Sequence, residues 1–285
     1  MEPLKKSGLV AIVGRSNVGK STLMNALIGT KIAITSPKPQ TTRHTIHGVL
    51  HDPRGQAVFV DTPGIFAQIP DTLTAKLNKK AADAMTGIDV ILYVVDPTRH
   101  VGKEDEIIHR IVTSSKAPKI LVINKSDIRG EFIDEFMAWK DEFNAVLEIS
   151  ARKEHNLKAL KDLVFELLPL GEPLYPADRI TDADQRFWIG ELIREKIFLA
   201  IHDEIPYTTA VETDEIVERE NGMIYVKARI LTTAPRYKKM IIGQGGRQIK
   251  TIGSNARKEI EAVTGKKVFL ELEVEVEERW QERFE

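Results

Sequence analysis

The sequence predicts two domains: an α/β domain with a mainly parallel sheet and helices on both faces over residues 1–172, and a smaller α+β domain over 182–285. Three observations carry this. Short apolar runs alternate with helical stretches through the first 170 or so residues, the rhythm of strand-helix-strand units. Proline and glycine then cluster in "LPLGEPLYPADRIT", which cannot continue a helix and marks 173–181 as a linker. At 285 residues the chain also exceeds what one core usually serves, since cores tend to split at roughly 250 to 300 residues.

The elements follow in order. "GLVAIV" (8–13) is a buried strand, and the stretch after it, "GRSNVGKS", opens a helix over 20–29. That stretch fits G-x-x-x-x-G-K-[ST], and strand-loop-helix is the context the pattern requires. Gly14, Arg15, Ser16, Asn17, Val18 and Gly19 bring backbone N–H groups around phosphate oxygens, Lys20 adds a charge on the β- and γ-phosphates, and Ser21, followed by Thr22, sets a hydroxyl on Mg²⁺. The strand "AVFVD" (57–61) runs into "DTPG": Asp61, Thr62, Pro63, Gly64. Asp61 can hold Mg²⁺ through water, and the Gly64 N–H can reach a γ-phosphate because no Cβ blocks it. A helix is predicted over 76–85, a strand over 90–96 and a helix over 104–115.

The strand "KILVIN" (119–124) ends in "NKSD", which selects the base. Asp127 can accept hydrogen bonds from N1–H and the 2-amino group of guanine, a pattern adenine does not offer. Asn124 can bond the other edge of the base, and the Lys125 stem can cover its face. A last strand (145–150) and helix (156–168) complete the first domain. GTP and GDP with Mg²⁺ are therefore the expected cofactors.

Together these elements resemble the translation-factor-related GTPases, across the whole first domain. The resemblance implies that Ser150, Ala151 and Arg152 form a further base loop, with the Ala151 N–H on guanine O6. It implies that "QTTRHTI" (40–46) is a switch, with Thr42 rather than Thr41 on Mg²⁺ and the γ-phosphate. Lys20, Thr42, Gly64 and Asn17 become the candidate catalytic residues. Many such GTPases carry a water-orienting glutamine after the D-x-x-G glycine; here the residue is Ile65, which can do no such work. Asn17 is open between two readings. In similar GTPases asparagine at this position accompanies a monovalent cation, so K⁺ is a candidate cofactor that would neutralise transition-state charge. The other reading is that Asn17 stiffens the loop through backbone hydrogen bonds.

Beyond the linker come an amphipathic helix, "DADQRFWIGELIREKIFLAIHDE", two strands, and a helical region interrupted by Gly243-Gln244-Gly245-Gly246; the strand "KVFLELEVEVEE" closes the chain. The interruption resembles the G-x-x-G loop of KH domains, where about four nucleotides lie in the adjoining groove. Ile241, Ile242 and Ile249 would floor that groove. From Arg236 to Lys258 the charged residues are all basic, Lys238, Lys239, Arg247 and Lys250 among them. The candidate RNA-binding residues are Lys238, Lys239, Ile242 to Arg247, and Lys250.

The whole chain is similar to the Era-like family of bacterial GTPases, a P-loop GTPase domain followed by a KH domain. That likeness implies binding to the 3′ end of 16S rRNA, a role in maturation of the small (30S) ribosomal subunit, and peripheral association with the inner face of the membrane in some members. Action as a monomer is expected. A net charge of -1 leaves any nucleic-acid surface local. With no cysteine, thiolate nucleophiles and disulfides are excluded, and no apolar run reaches membrane-spanning length, so a cytoplasmic protein is expected. An RNA-modifying enzyme carrying a GTPase module is the alternative; it should show a further nucleophile or cofactor motif, and the seven histidines are scattered.

Overall fold

The computed structural model describes residues 5–36, 38, 41–64, 86–201 and 205–283. The chain divides into two compact units, residues 1–182 and 183–285.

In the first unit β1 (Lys5–Val13), β3 (Gly55–Asp61), β4 (Val90–Val95), β5 (Lys119–Ile123) and β6 (Ala145–Glu148) run parallel, in the order β3-β1-β4-β5-β6. An antiparallel strand, β2 (Ile46–Asp52), flanks β3, and β7 (Leu170–Gly171) pairs with the start of β1. All six residues of β4 are buried, as continuous apolar strands in a parallel sheet must be. The helices among the described residues are α1 (Lys20–Ile28), α2 (Lys103–Ser114), α3 (Ile133–Met137) and α4 (Leu157–Leu167). On α2 the apolar residues recur at helical spacing, so Ile108 and Val112 reach a core with Ile91, Tyr93 and Phe136. Burying each such side chain contributes roughly 1.5–3 kcal/mol.

Some elements differ from the sequence reading. The strand β2 was not expected; it forms a hairpin with β3, whose turn is fixed by Asp52 Oδ1 accepting from the Arg54 N–H at 3.0 Å. The helix expected over 76–85 lies outside the described residues, as do Ile65 and Gln40.

Residues 173–181 belong to the first unit and lie along β2 as a strap. Gly48 bridges Thr181, and the Val49 N–H donates to Ile180 O at 2.9 Å. Gln56 fixes the other end: its Oε1 accepts from the N–H groups of Leu174 and Tyr175, and its Nε2 donates to Tyr175 O. Prolines forbid a helix here but not extended chain beside a sheet edge, and β2 offers the backbone partners.

The second unit is a three-stranded sheet in the order β10-β9-β8. Here β8 (Thr209–Glu218) is antiparallel to β9 (Ile224–Thr232), and β10 (Val268–Val276) is parallel to it. Among the described residues three α-helices accompany it: α5 (Gln185–Ala200), α6 (Pro235–Ile242) and α7 (Arg247–Thr264). Asp184 caps α5 by accepting from the Phe187 N–H at 2.6 Å. The expected polar face of α5 is largely absent: Glu191, Arg194 and Glu195 are buried with the apolar residues. Burial is sustained by pairing, Arg194 giving Nε and Nη2 to the two carboxylate oxygens of Glu191 at 2.7 and 2.5 Å.

Candidate functional site

In an open α/β sheet, the loops after the parallel strands share one edge, and ligands bind there. The loop between β1 and α1 turns at Gly19, whose φ of 101° lies in the left-handed region. A Cβ at this position would sit 2.4 Å from Asn124 Nδ2, so the loop closes over that amide only because residue 19 is glycine.

Asn124 differs from its expected role. Its buried Nδ2 donates to Val18 O at 2.8 Å and its Oδ1 accepts from the Ala151 N–H at 3.0 Å. The side chain expected on the base, and the N–H expected on guanine O6, are bonded to each other. A buried amide must find partners, and here they are backbone groups of the two flanking loops. Asn124 thus braces three loops together.

Asp127 is exposed at the mouth of a cavity of about 420 Å³ that Asn17, Thr22, Lys125, Ala151 and Arg152 also line. Ser150 Oγ donates to Asp127 Oδ1 at 2.5 Å, and this bond, aided by Lys153 and Arg152, holds the carboxyl below the usual range. A lasting negative edge beside a purine-sized space suits a base presenting two donors.

A smaller cavity of about 60 Å³ adjoins it, lined by Ser16, Asn17, Gly19, Lys20, Ser21, Thr42 and Gly64 among others. Lys20 is buried, its Nζ donating to Gly14 O and Arg15 O at 2.9 and 3.1 Å. Burial lowers its pKa to about 8, against the opposing pull of Asp61. Phosphate favours the protonated ammonium, so occupancy raises this pKa, and affinity is complete below the free-site value and lost above it. Nucleotide affinity is therefore expected to hold up to pH 7.5 and to fall about tenfold by pH 9, read from GDP dissociation constants at fixed ionic strength. A flat profile would contradict a phosphate role for Lys20.

Ser21 Oγ donates to Asp61 Oδ2 at 2.6 Å and lies 2.9 Å from Thr42 Oγ1, while Thr42 Oγ1 donates to the same carboxylate oxygen at 3.4 Å. Thr41 is engaged elsewhere, donating to Lys38 O at 2.6 Å. Asp61 is fully buried, which raises its pKa, and its Oδ1 has no hydrogen-bond partner among the described residues. Two hydroxyls and a carboxylate with an oxygen to spare are the hard donors Mg²⁺ prefers. When bound, such an ion supplies charge neutralisation on phosphate oxygens.

The remaining predicted residues have local roles. Arg15 pairs with Glu104 and Asp105 of α2, both at 3.0 Å, and Thr62 Oγ1 donates to Ile12 O. Pro63 is buried. Asn17 has φ 65°, a conformation asparagine enters more easily than other residues with a Cβ. A backbone reason for asparagine thus stands beside the cation one.

In the second unit, α6 ends at Gly243 with φ 71°, and a Cβ there would meet Gln248 Cβ at 2.6 Å. Gly245 and Gly246 also have positive φ, with open space where a side chain would go. Arg247 folds back on the loop, its Nη2 donating to Gln244 Oε1 at 2.6 Å. Lys239, Arg247, Lys250, Arg257 and Lys258 are exposed, and Lys238 and Ile242 are half-buried. Ile241 is fully buried in the core and cannot floor a groove. The groove itself, about 400 Å³, runs between α7 and β10, with Ile249, Lys250 and Arg257 facing Phe269 and Leu272. Phe269 was missed from sequence; half-exposed in an otherwise acidic alternating strand, it was the one signal available.

Fold and site together define a P-loop GTPase joined to a KH domain. A family model described as 50S ribosome-binding GTPase matches residues 9–125, and one described as KH domain matches 204–281. The GTPase Era of Halothermothrix orenii is 43% identical over 281 residues, covering 98% of this chain and 95% of the relative. That of Thermotoga maritima is 39% identical, covering 98% and 94%. The chain belongs to the Era family of GTPases. A crystal structure of Era with MgGDPNP and nucleotides 1506-1542 of 16S ribosomal RNA superimposes with a TM-score of 0.92 at 39% identity, covering 98% of this chain and 96% of that one. An Aquifex aeolicus Era variant bound to GDP and aluminium fluoride gives 0.91 at 39% identity, with the same coverage. Among the described residues no helix is long and apolar enough to cross a membrane.

Proposed function

We propose that the protein is a GTP-hydrolysing switch whose KH domain binds the 3′ end of 16S rRNA during maturation of the 30S subunit. The observation that carries the switch is the meeting of Ser21 and Thr42 on one oxygen of Asp61. Thr42 lies in the loop before β2, so a group that engages Thr42 and Asp61 together orders that loop, and its loss frees it. In this reading Ser21, Thr42 and Asp61 hold Mg²⁺, Lys20 and the Gly64 N–H hold the γ-phosphate, and Asp127 reads guanine. Near-full-length likeness to a relative solved with MgGDPNP and 16S rRNA supports the RNA assignment. Monomeric action and peripheral contact with the inner membrane face rest on family likeness alone.

The test is RNA affinity at fixed salt in the GTP-analogue, GDP and empty states, with the 16S 3′ end against a scrambled sequence. Preference for the 16S sequence, changing with nucleotide state, is expected. Gly245→Asp should abolish it with little loss of stability, because aspartate tolerates the left-handed conformation while repelling phosphate. No preference in any state overturns the RNA assignment and leaves the GTPase intact.

A catalytic K⁺ beside Asn17 predicts faster GTP turnover in K⁺ than in Na⁺. Asn17→Gly is the informative variant, since it keeps the left-handed backbone and removes only the amide. Equal wild-type rates in both salts would end the cation reading.

A further inference from the structure

We infer that Asp96 is a positioning residue for nucleotide binding: one carboxylate fixes Lys125 beside the base and, through Arg99, fixes the phosphate loop at Ser16. The inference rests on the guanine-nucleotide reading of the cavities above and names a second link, beside Asn124, by which their two halves hold each other.

Asp96 follows the last residue of β4 and is 3% exposed. Its Oδ1 accepts from the Thr98 N–H at 3.1 Å and from Thr98 Oγ1 at 2.7 Å, which sets the plane of the carboxylate. That leaves Oδ2 facing two cations from separate parts of the chain, Lys125 Nζ at 2.6 Å and Arg99 Nε at 3.3 Å. Arg99 goes on to donate from Nη2 to Ser16 O at 3.2 Å. A chain of contacts thus joins the base loop to the phosphate loop through a single buried anion. Burial alone would raise this carboxyl's pKa, but the bonds from Lys125 and Thr98 outweigh it and hold the group below the usual range.

A simpler role for Asp96 is to close the turn at 96–99, where the Arg99 N–H also reaches Asp96 O. That role uses Oδ1 and the backbone and leaves the two cations on Oδ2 unexplained. Lysine has a long stem with many rotamers, and ordering it costs entropy. Lys125 lines the cavity with its backbone at φ 66° and its ammonium bonded to Asp96, so both ends of the stem are fixed. Pre-ordering of this kind raises affinity without adding a contact.

The test uses Asp96→Asn, which is isosteric and keeps an oxygen for Thr98 but removes the anion. Affinities for GDP and inosine diphosphate are measured by competition, with the thermal midpoint of the empty protein alongside. Both affinities are expected to fall together by about 10- to 100-fold, the loss typical of a charge-assisted contact, with their ratio unchanged because Asp127 still reads the 2-amino group. The variant should also be strongly non-additive with Lys125→Met. Thr98→Val, which removes one of the two bonds that orient the carboxylate and leaves its charge, should give a smaller loss of the same kind if Asp96→Asn folds poorly. Affinity for GDP within twofold of the parent, or losses that multiply with Lys125→Met, would overturn the inference. Failure of the parent to bind either diphosphate would instead overturn the nucleotide reading itself.

Discussion

Asp127→Asn should lower affinity for GDP by about 10³-fold or more while giving the protein measurable affinity for xanthosine diphosphate. The carboxylate now presents only acceptors to the cavity, which matches the two donors of guanine at N1 and the 2-amino group. An amide turns one acceptor into a donor and sets it against the 2-amino group, leaving a donor facing a donor. Xanthine carries an oxygen at that position and accepts what guanine cannot. The fold should be spared, because the amide oxygen can still accept from Ser150 Oγ, the bond that orients the side chain at 2.5 Å. Competition binding with the two diphosphates checks this; a GDP affinity within tenfold of the parent would show that selectivity lies elsewhere.

Gly19→Ala is expected to cost about 3–8 kcal/mol of stability and to abolish nucleotide binding. The new methyl would lie 2.4 Å from Asn124 Nδ2, at a φ of 101°. The amide must move, and with it go the bonds to Val18 O and the Ala151 N–H. Two buried groups left unpaired cost about 1–3 kcal/mol each, and the left-handed backbone adds roughly 1–2. Gly29→Ala is the control. It has φ 81° with nothing within 4 Å, so strain alone should cost the same roughly 1–2 kcal/mol and leave nucleotide affinity unchanged. Urea unfolding and GDP titration of the two variants separate the brace from the strain.

What could be read from the sequence was local. The parallel strands are legible because burial on both faces makes them continuous apolar runs, as in "VILYVV" of β4. The phosphate loop is legible because its chemistry fits within eight residues. The role of Asn124 was not, because its partners are backbone groups of Val18 and Ala151, remote in sequence and without a side-chain signature. Asp96 was visible only as the polar end of an apolar strand; its meaning came from Lys125 and Arg99 arriving at the same oxygen. The β2–β3 hairpin was within reach, since "HDPRGQ" carries turn chemistry between two apolar runs. The strap was not, because the prolines that announce an end of helix say nothing about where the chain then lies.

That strap has a bearing on how copies of the protein treat one another. An outermost strand such as β2 offers a row of unpaired N–H and C=O groups, a template on which any extended segment can grow a sheet. By laying 173–181 along it, anchored by Gly48 and Val49 and by Gln56 of the neighbouring β3, the chain blunts this border itself. A segment that reads as a mere connector thereby guards against aggregation at this edge.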